Sequence, residues 1–481
     1  MKHHHNVDRV YVRSVLGGLR QLLAAPDGEG AADTLRDCIR VLTTLESSWD
    51  ESGDEAAPDH FSTPGRYGHY IPDGPPECAA VRSGTSQTIG DVAALIESTY
   101  GGVLVHGEKV QEMLAWENRL AAAAIEKRDN MELARAANSE PGNAPPLNAE
   151  LAQSLLRVAT GIDTLKVVSF RSILGGRSRQ TAMITVSDAP GVGPDLVMQM
   201  PLPGVLQFSG PEVEHKVLSR LHSAGLKVPP PVLYKGVEDD LSPPFLVTGA
   251  VEGAAAEKNY FSPIRSSVLA LGLAQQMAML HSIPVDEFEG VLSQPDKAEG
   301  RKGLLDELDA FAASWHANAH APSVAVSAAL AYLRANVDVV QPRLSLVHND
   351  MVFHNILAKD GEVSAILDWE QCALGHPGED LGYCYPFIAP HTSWDEYVEH
   401  YRAAGGAHVS QQEIDFFAIR AIIRIMTVTI EKGRIGFEAG VADDVFRATV
   451  GTHFLQRLLL RLGRTLSEVL ARNGSATPLV G

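Results

Sequence analysis

Apolar residues recur at helical spacing through the first part of the chain. Val7–Ala25 carries Val10, Val15, Leu16, Leu19 and Leu22 in register, and Ala31–Trp49 carries Leu35, Ile39, Leu42 and Leu45. Glu51–Gly84, rich in Pro, Gly, Asp and Glu, reads as loop, and Thr88–Tyr100 and Lys109–Ala137 return to helix. Ser139–Pro146 (SEPGNAPP) is a linker by composition. After it the period changes. A helix over Glu150–Thr160 leads into alternating strands over Lys166–Ile173 and Gln180–Ser187, then a third strand, Leu196–Met200. Gly210–Ala224 is a helix with Val213, Val217, Leu218 and Leu221 on one face, and Val228–Leu233 and Pro244–Val247 are further strands. Helices over Ser266–Ser282, Lys302–Ala317 and Ser323–Asn336 precede a strand, loop and strand between Leu344 and Leu367, with Asp360–Gly361 as a hairpin turn. Trp394–Ala404, Gln411–Gly433 and Asp443–Asn473 close the chain as long helices. The pattern predicts an α+β protein with a helical region over 1–145, a β-rich region over 150–252 and a helical region over 253–475.

The stretch that carries chemistry runs from Leu346 to Tyr383. Asp350 and Asn355 are five apart and follow one apolar run, while Asp368 ends the next run, thirteen residues after Asn355. Phosphoryl transfer needs this set: one carboxylate to accept the proton of an attacking hydroxyl, and an amide and a second carboxylate to hold Mg²⁺ against phosphates. The glycines of Gly175-Gly176-Arg177-Ser178, at the turn between the first two strands, let backbone N–H groups approach phosphate oxygens, because no Cβ stands in the way. A metal-hydrolase reading of His348, Asp350 and His354 lacks a second cluster of ligands.

Taken together, His348-Asn349-Asp350…Asn355, Leu367-Asp368-Trp369-Glu370 and Gly375-His376-Pro377…Asp380-Leu381 resemble the motifs of the aminoglycoside phosphotransferase/choline kinase family. The nearest likeness is to the kinase domains fused to acyl-CoA dehydrogenases. The resemblance implies a bilobal protein-kinase-like fold, with a β-rich N-lobe (150–252), an α-helical C-lobe (253–475) and the N-terminal helical domain appended. It implies a small-molecule kinase that transfers the nucleotide γ-phosphate, from ATP or GTP, to a hydroxyl of an antibiotic or a hydroxyacyl-type substrate. Asp350 is then the base, His348 braces the loop, and Asn355 and Asp368 hold Mg²⁺. Asp380 anchors the loop. Gly175, Gly176, Arg177 and Ser178 form the nucleotide loop, Gly249 and Val251 belong to a hinge spanning residues 248–251, and Glu214 sits where the αC glutamate lies.

One departure stands out. The third strand of the family carries a basic residue, and this chain has Gln199 there, so the usual partner of Glu214 is gone. Either Arg171, Arg177 or Arg179 substitutes for it, or the chain is a weak or silent nucleotide-binding protein. His281, at the end of its helix, reads as a packed residue, and Arg420 and Arg424 read as solvent-facing positions on a long helix.

Composition narrows the partners. With 40 basic against 59 acidic residues the net charge is −19, which disfavours nucleic acid. No apolar run is long enough for a membrane span, and the N-terminus lacks the apolar core of a signal peptide. Cys38, Cys78, Cys372 and Cys384 show no C-x-x-C spacing and read as free thiols in a reducing cytoplasm. The N-terminal helices could pair two copies as a homodimer.

Overall fold

A computed structural model describes residues 147–173, 179–201, 209–236, 244–257, 262–293, 300–318, 323–429 and 445–474. The expected helical domain over 1–145 and the glycine loop at 174–178 lie outside the described residues. The described residues fall into two compact units, one within 144–299 and 341–418, the other within 300–340 and 419–481.

The first unit begins with helix α1, Ala149–Thr160. The Asn148 side chain caps it by accepting from the Leu151 N–H at 2.9 Å, and Gly161 ends it at φ +68°. Strands β1 (Lys166–Ile173), β2 (Arg179–Ser187), β3 (Asp195–Pro201), β4 (Pro231–Lys235) and β5 (Phe245–Gly249) follow, close to the predicted runs. They form one antiparallel sheet in the order β1-β2-β3-β5-β4. Alternation sorts its two faces. Ala182, Ile184 and Val186 of β2 and Leu196, Met198 and Met200 of β3 share a core with Ala152, Leu155 and Leu156 of α1. Thr181 and Gln199, paired across β2 and β3, therefore share the opposite face, together with Arg179 one pleat away. Helix α2, Pro211–Ser223, packs against β4 and β5 with Glu214, Val217, Leu218 and Leu221 buried.

Smaller strands hold the stretch with the polar motifs. β6 (Ala254–Ala255), β8 (Ile356–Lys359) and β9 (Glu362–Ile366) make one sheet; β7 (Ser345–Val347) and β10 (Ala373–Gly375) make a ribbon. Neither β6 nor β10 is predicted by the hydrophobic pattern, since two or three residues carry no readable period. The β8–β9 hairpin closes at Asp360–Gly361, both at positive φ (+53° and +82°), as the turn signal requires. Around them lie α3 (Ser267–Ser282), α6 (Gly378–Ile388), α7 (Trp394–Ala403) and the first part of α8 (Gln411–Thr429). Gly382 of α6 is needed for close approach: a Cβ there would lie 2.4 Å from the Ala418 backbone nitrogen.

The second unit contains α4 (Gly300–Asn318), α5 (Val324–Ala335) and α9 (Val445–Gly474). Arg420 corrects the solvent-facing expectation. It is only 9% exposed, and its Nε and Nη2 each bond a carboxylate oxygen of Glu307 at 2.7 Å. Among the described residues no helix is long and apolar enough to cross a membrane.

Candidate active site

The loop after β7 is held from below by one carboxylate. Asp380, near the start of α6 and fully buried, accepts the His348 N–H at 2.8 Å and the Asn349 N–H at 2.7 Å, one on each oxygen. His281 Nε2 adds a third contact at 3.1 Å, and the other ring nitrogen meets the Tyr401 hydroxyl at 2.8 Å. His281 is thus packed and paired, as expected. Burial raises the Asp380 carboxyl, but the hydrogen bond and charge from His281, with His348, outweigh it and hold the group below its ordinary value.

His348 is fully buried, and both of its ring nitrogens are engaged. Nδ1 accepts the Asp350 N–H at 3.2 Å, so Nε2 carries the proton and donates to the Leu367 carbonyl at 3.0 Å. Its ring meets the Trp369 edge at a centroid distance of 4.5 Å. The Asp350 carboxylate, 9% exposed, receives two donors: the Tyr383 hydroxyl on Oδ1 at 2.5 Å and Asn355 Nδ2 on Oδ2 at 3.2 Å. Asn355 Nδ2 also bonds the Asp350 carbonyl at 3.1 Å. These bonds draw Asn355 to Asp350, and the Leu367 N–H donates to the Asn355 carbonyl at 2.8 Å, which brings Asp368 alongside. Tyr383 lies outside the sequence motifs. Its signal is the spacing from Asp380: three residues on a helix put both on one face.

Asn349 and Asp368 both have φ +64°, an αL conformation that costs energy for residues with a Cβ and recurs at functional sites. Asp368 is half-buried and makes no hydrogen bond among the described residues. Burial, then the charges of Asp350, Glu370 and Glu214, push its carboxyl well above the ordinary range, with Arg179 opposing. Such a carboxylate is short of positive charge. No three His, Cys, Asp or Glu among the described residues form a closed metal cluster. One carboxylate and one amide suit Mg²⁺, which keeps waters and substrate phosphates as its other ligands.

Glu214 corrects the expectation that its ion pair is lost. It is 2% exposed, and its Oε2 lies 2.5 Å from Nη1 of Arg179, one of the three arginines weighed as substitutes. Arg179 Nη2 lies 3.4 Å from Oε2 of Glu370. Burial disfavours the guanidinium charge, but Glu214 and Glu370 more than offset this and keep it charged. Gln199 is half-buried on the same sheet face. At the end of β5, the Gly249 N–H donates to the Pro230 carbonyl at 2.8 Å and the Ala250 N–H to the Asp195 carbonyl at 2.9 Å. Val251 makes no backbone hydrogen bond among the described residues. Gly175, Gly176, Arg177 and Ser178 lie outside the described residues.

This sheet, with a buried arginine–glutamate pair below it and an Asp…Asn…Asp set at the adjoining strand ends, is the layout of a kinase-like phosphotransferase. Residues 169–417 match the Phosphotransferase enzyme family, and the chain belongs to that family. It is 26% identical over 196 residues to acyl-CoA dehydrogenase family member 11 of Pongo abelii, covering 39% of this chain and 25% of that protein. The Gallus gallus protein of the same name is 28% identical over 185 residues, covering 37% of this chain and 23% of the other. The matched region is thus about a quarter of the length of these relatives. Among solved structures, a spectinomycin phosphotransferase in complex with ADP and spectinomycin is 14% identical, covering 67% of this chain and 99% of that one at a TM-score of 0.46. A macrolide 2'-phosphotransferase of Brachybacterium faecium is 16% identical, covering 63% and 98% at 0.43.

Proposed function

We propose that the chain is a small-molecule kinase that moves the γ-phosphate of ATP or GTP to a hydroxyl acceptor. The observation that carries this reading is the Asp350 carboxylate, pinned by Tyr383 and Asn355 beside Asp368. Asp350 orients the acceptor hydroxyl and takes its proton as the oxygen attacks phosphorus. Tyr383 and Asn355 fix the carboxylate rotamer, and His348 braces the loop, with neither ring nitrogen left to accept that proton. Asn355 and Asp368 would hold Mg²⁺, which when bound supplies neutralisation of the phosphate charge. The backbone at Gly249–Val251 is the proposed adenine edge, and 174–178 the proposed phosphate loop.

For the acceptor, the similarity to proteins named for acyl-CoA dehydrogenases supports a hydroxyacyl-type compound over an antibiotic. The buried free thiols Cys372 and Cys384 support a cytoplasmic setting. The silent-protein reading rests on Gln199 alone, and the Arg179–Glu214 pair weighs against it.

The test is nucleotide consumption with purified protein across hydroxyacyl-CoAs, aminoglycosides and macrolides, with Asp350→Asn beside the wild type. Turnover on hydroxyacyl-CoAs that falls by about 10²-fold or more in the variant supports the reading. Turnover that survives the substitution removes Asp350 as the base.

A further inference from the structure

The family places its basic residue on β3, where this chain has Gln199. Directly opposite on β2 is Thr181, and one pleat along the same face is Arg179. We propose that the cation has moved one strand over: Arg179 of β2 takes the place of the β3 base, tying Glu214 of α2 to Glu370 and giving its remaining N–H to the phosphates of a nucleoside triphosphate. This assignment rests on the phosphotransferase reading.

Three observations carry it. Arg179 is 7% exposed yet lies between two carboxylates from separate elements, at 2.5 Å from Glu214 and 3.4 Å from Glu370. Glu370 is two residues from Asp368, so the guanidinium stands within electrostatic reach of the proposed Mg²⁺ carboxylate. Its donors are also not exhausted. Nη1 and Nη2 face the two glutamates, while Nε is buried and has no hydrogen-bond partner among the described residues. A buried, unpartnered N–H on a charged group is costly unless a ligand completes it, and a planar guanidinium suits phosphate oxygens. Of the two carboxylate contacts the one to Glu370 is the longer, at 3.4 Å against 2.5 Å to Glu214. Arginine is longer than lysine, which fits a start one strand further away. On this view Gln199 is the vacated half of a relocated site, and it does not mark a dead one.

The experiment is calorimetric titration with Mg·ATP of the wild type, Arg179→Gln, Arg179→Gln/Glu214→Gln and Arg179→Gln/Gln199→Lys, each checked for folding by thermal melt. The Glu214→Gln change removes the nearer of the two carboxylates that Arg179→Gln would leave buried without their cation, and the melt shows that the variant is folded. The neutral double variant should bind Mg·ATP about tenfold or more weakly than wild type. The Gln199→Lys double variant should recover to within about threefold, since it returns a cation to the same sheet face. A neutral variant that binds as tightly as wild type, or a Gln199→Lys change that recovers nothing, overturns the assignment while leaving the phosphotransferase reading intact. A wild type that binds no Mg·ATP removes both.

Discussion

The hydroxyl of Tyr383 donates to Oδ1 of Asp350 at 2.5 Å, so the proposed base is held by a helix that also carries the anchor of its own loop, Asp380. The bond fixes the rotamer of the carboxylate proposed to meet the acceptor hydroxyl. Tyr383→Phe removes it without changing the ring. The expected outcome is a kcat lower by about tenfold, the worth of one hydrogen bond to a charged group, with the nucleotide KM unchanged. An unchanged kcat would show that Tyr383 does not position the base.

Asp380→Ala takes the acceptor from two buried backbone N–H groups and from His281. Leaving such donors unpaired costs roughly 2–5 kcal/mol in all. Denaturant unfolding should register that loss, and a variant within 1 kcal/mol of wild type, about the worth of a single hydrogen bond, would mean the loop is held by other contacts.

Gly382→Ala would set a methyl against the backbone of Phe417 and Ala418 on α8, at 2.6 and 2.4 Å. Backbone cannot step aside as a flexible side chain can, so α6 must shift. A loss of roughly 1–3 kcal/mol or more is expected, measured as a fall in Tm. An unchanged Tm would contradict the tight α6–α8 approach.

His376 predicts a pH dependence. Burial, only partly opposed by Glu413 and Glu379, lowers its imidazole from 6.5 to about 4. Nδ1 accepts the Gly378 N–H at 2.9 Å and the ring stacks on Phe417. The unfolded chain therefore binds a proton between pH 6.5 and about 4 that the folded chain does not. Stability should fall as pH drops through that window, by up to about 3 kcal/mol from this group, and fall no further below it. His376→Asn should flatten the profile there. Equal slopes for variant and wild type would exclude His376 as the source.

Much of this layout is legible in the sequence because its signals are local. The alternation over β1 to β3 and the Asp-Gly turn of the β8–β9 hairpin are read from neighbours in the chain, as are Asp350, Asn355 and Asp368. What sequence reading misses is set by pairing across distance. Arg179 meets Glu214 only because the sheet and α2 bring residues thirty-five apart together, and the pairing of β10 with β7 adds a ribbon of three residues with no period of its own. Arg420 is misread for the same reason: a polar residue on a long helix is buried when a carboxylate as distant as Glu307 meets it.

The most direct test of the central claim is calorimetric titration of wild type and Asp368→Ala with ATP and GTP, with and without Mg²⁺. Burial, and then the charges of Asp350, Glu370 and Glu214, raise the Asp368 carboxyl, and a divalent cation would offset both. Nucleotide binding should need Mg²⁺ in the wild type and weaken by about tenfold or more in the variant. Binding that ignores Mg²⁺ and survives Asp368→Ala, or no binding of either nucleotide, would contradict the claim.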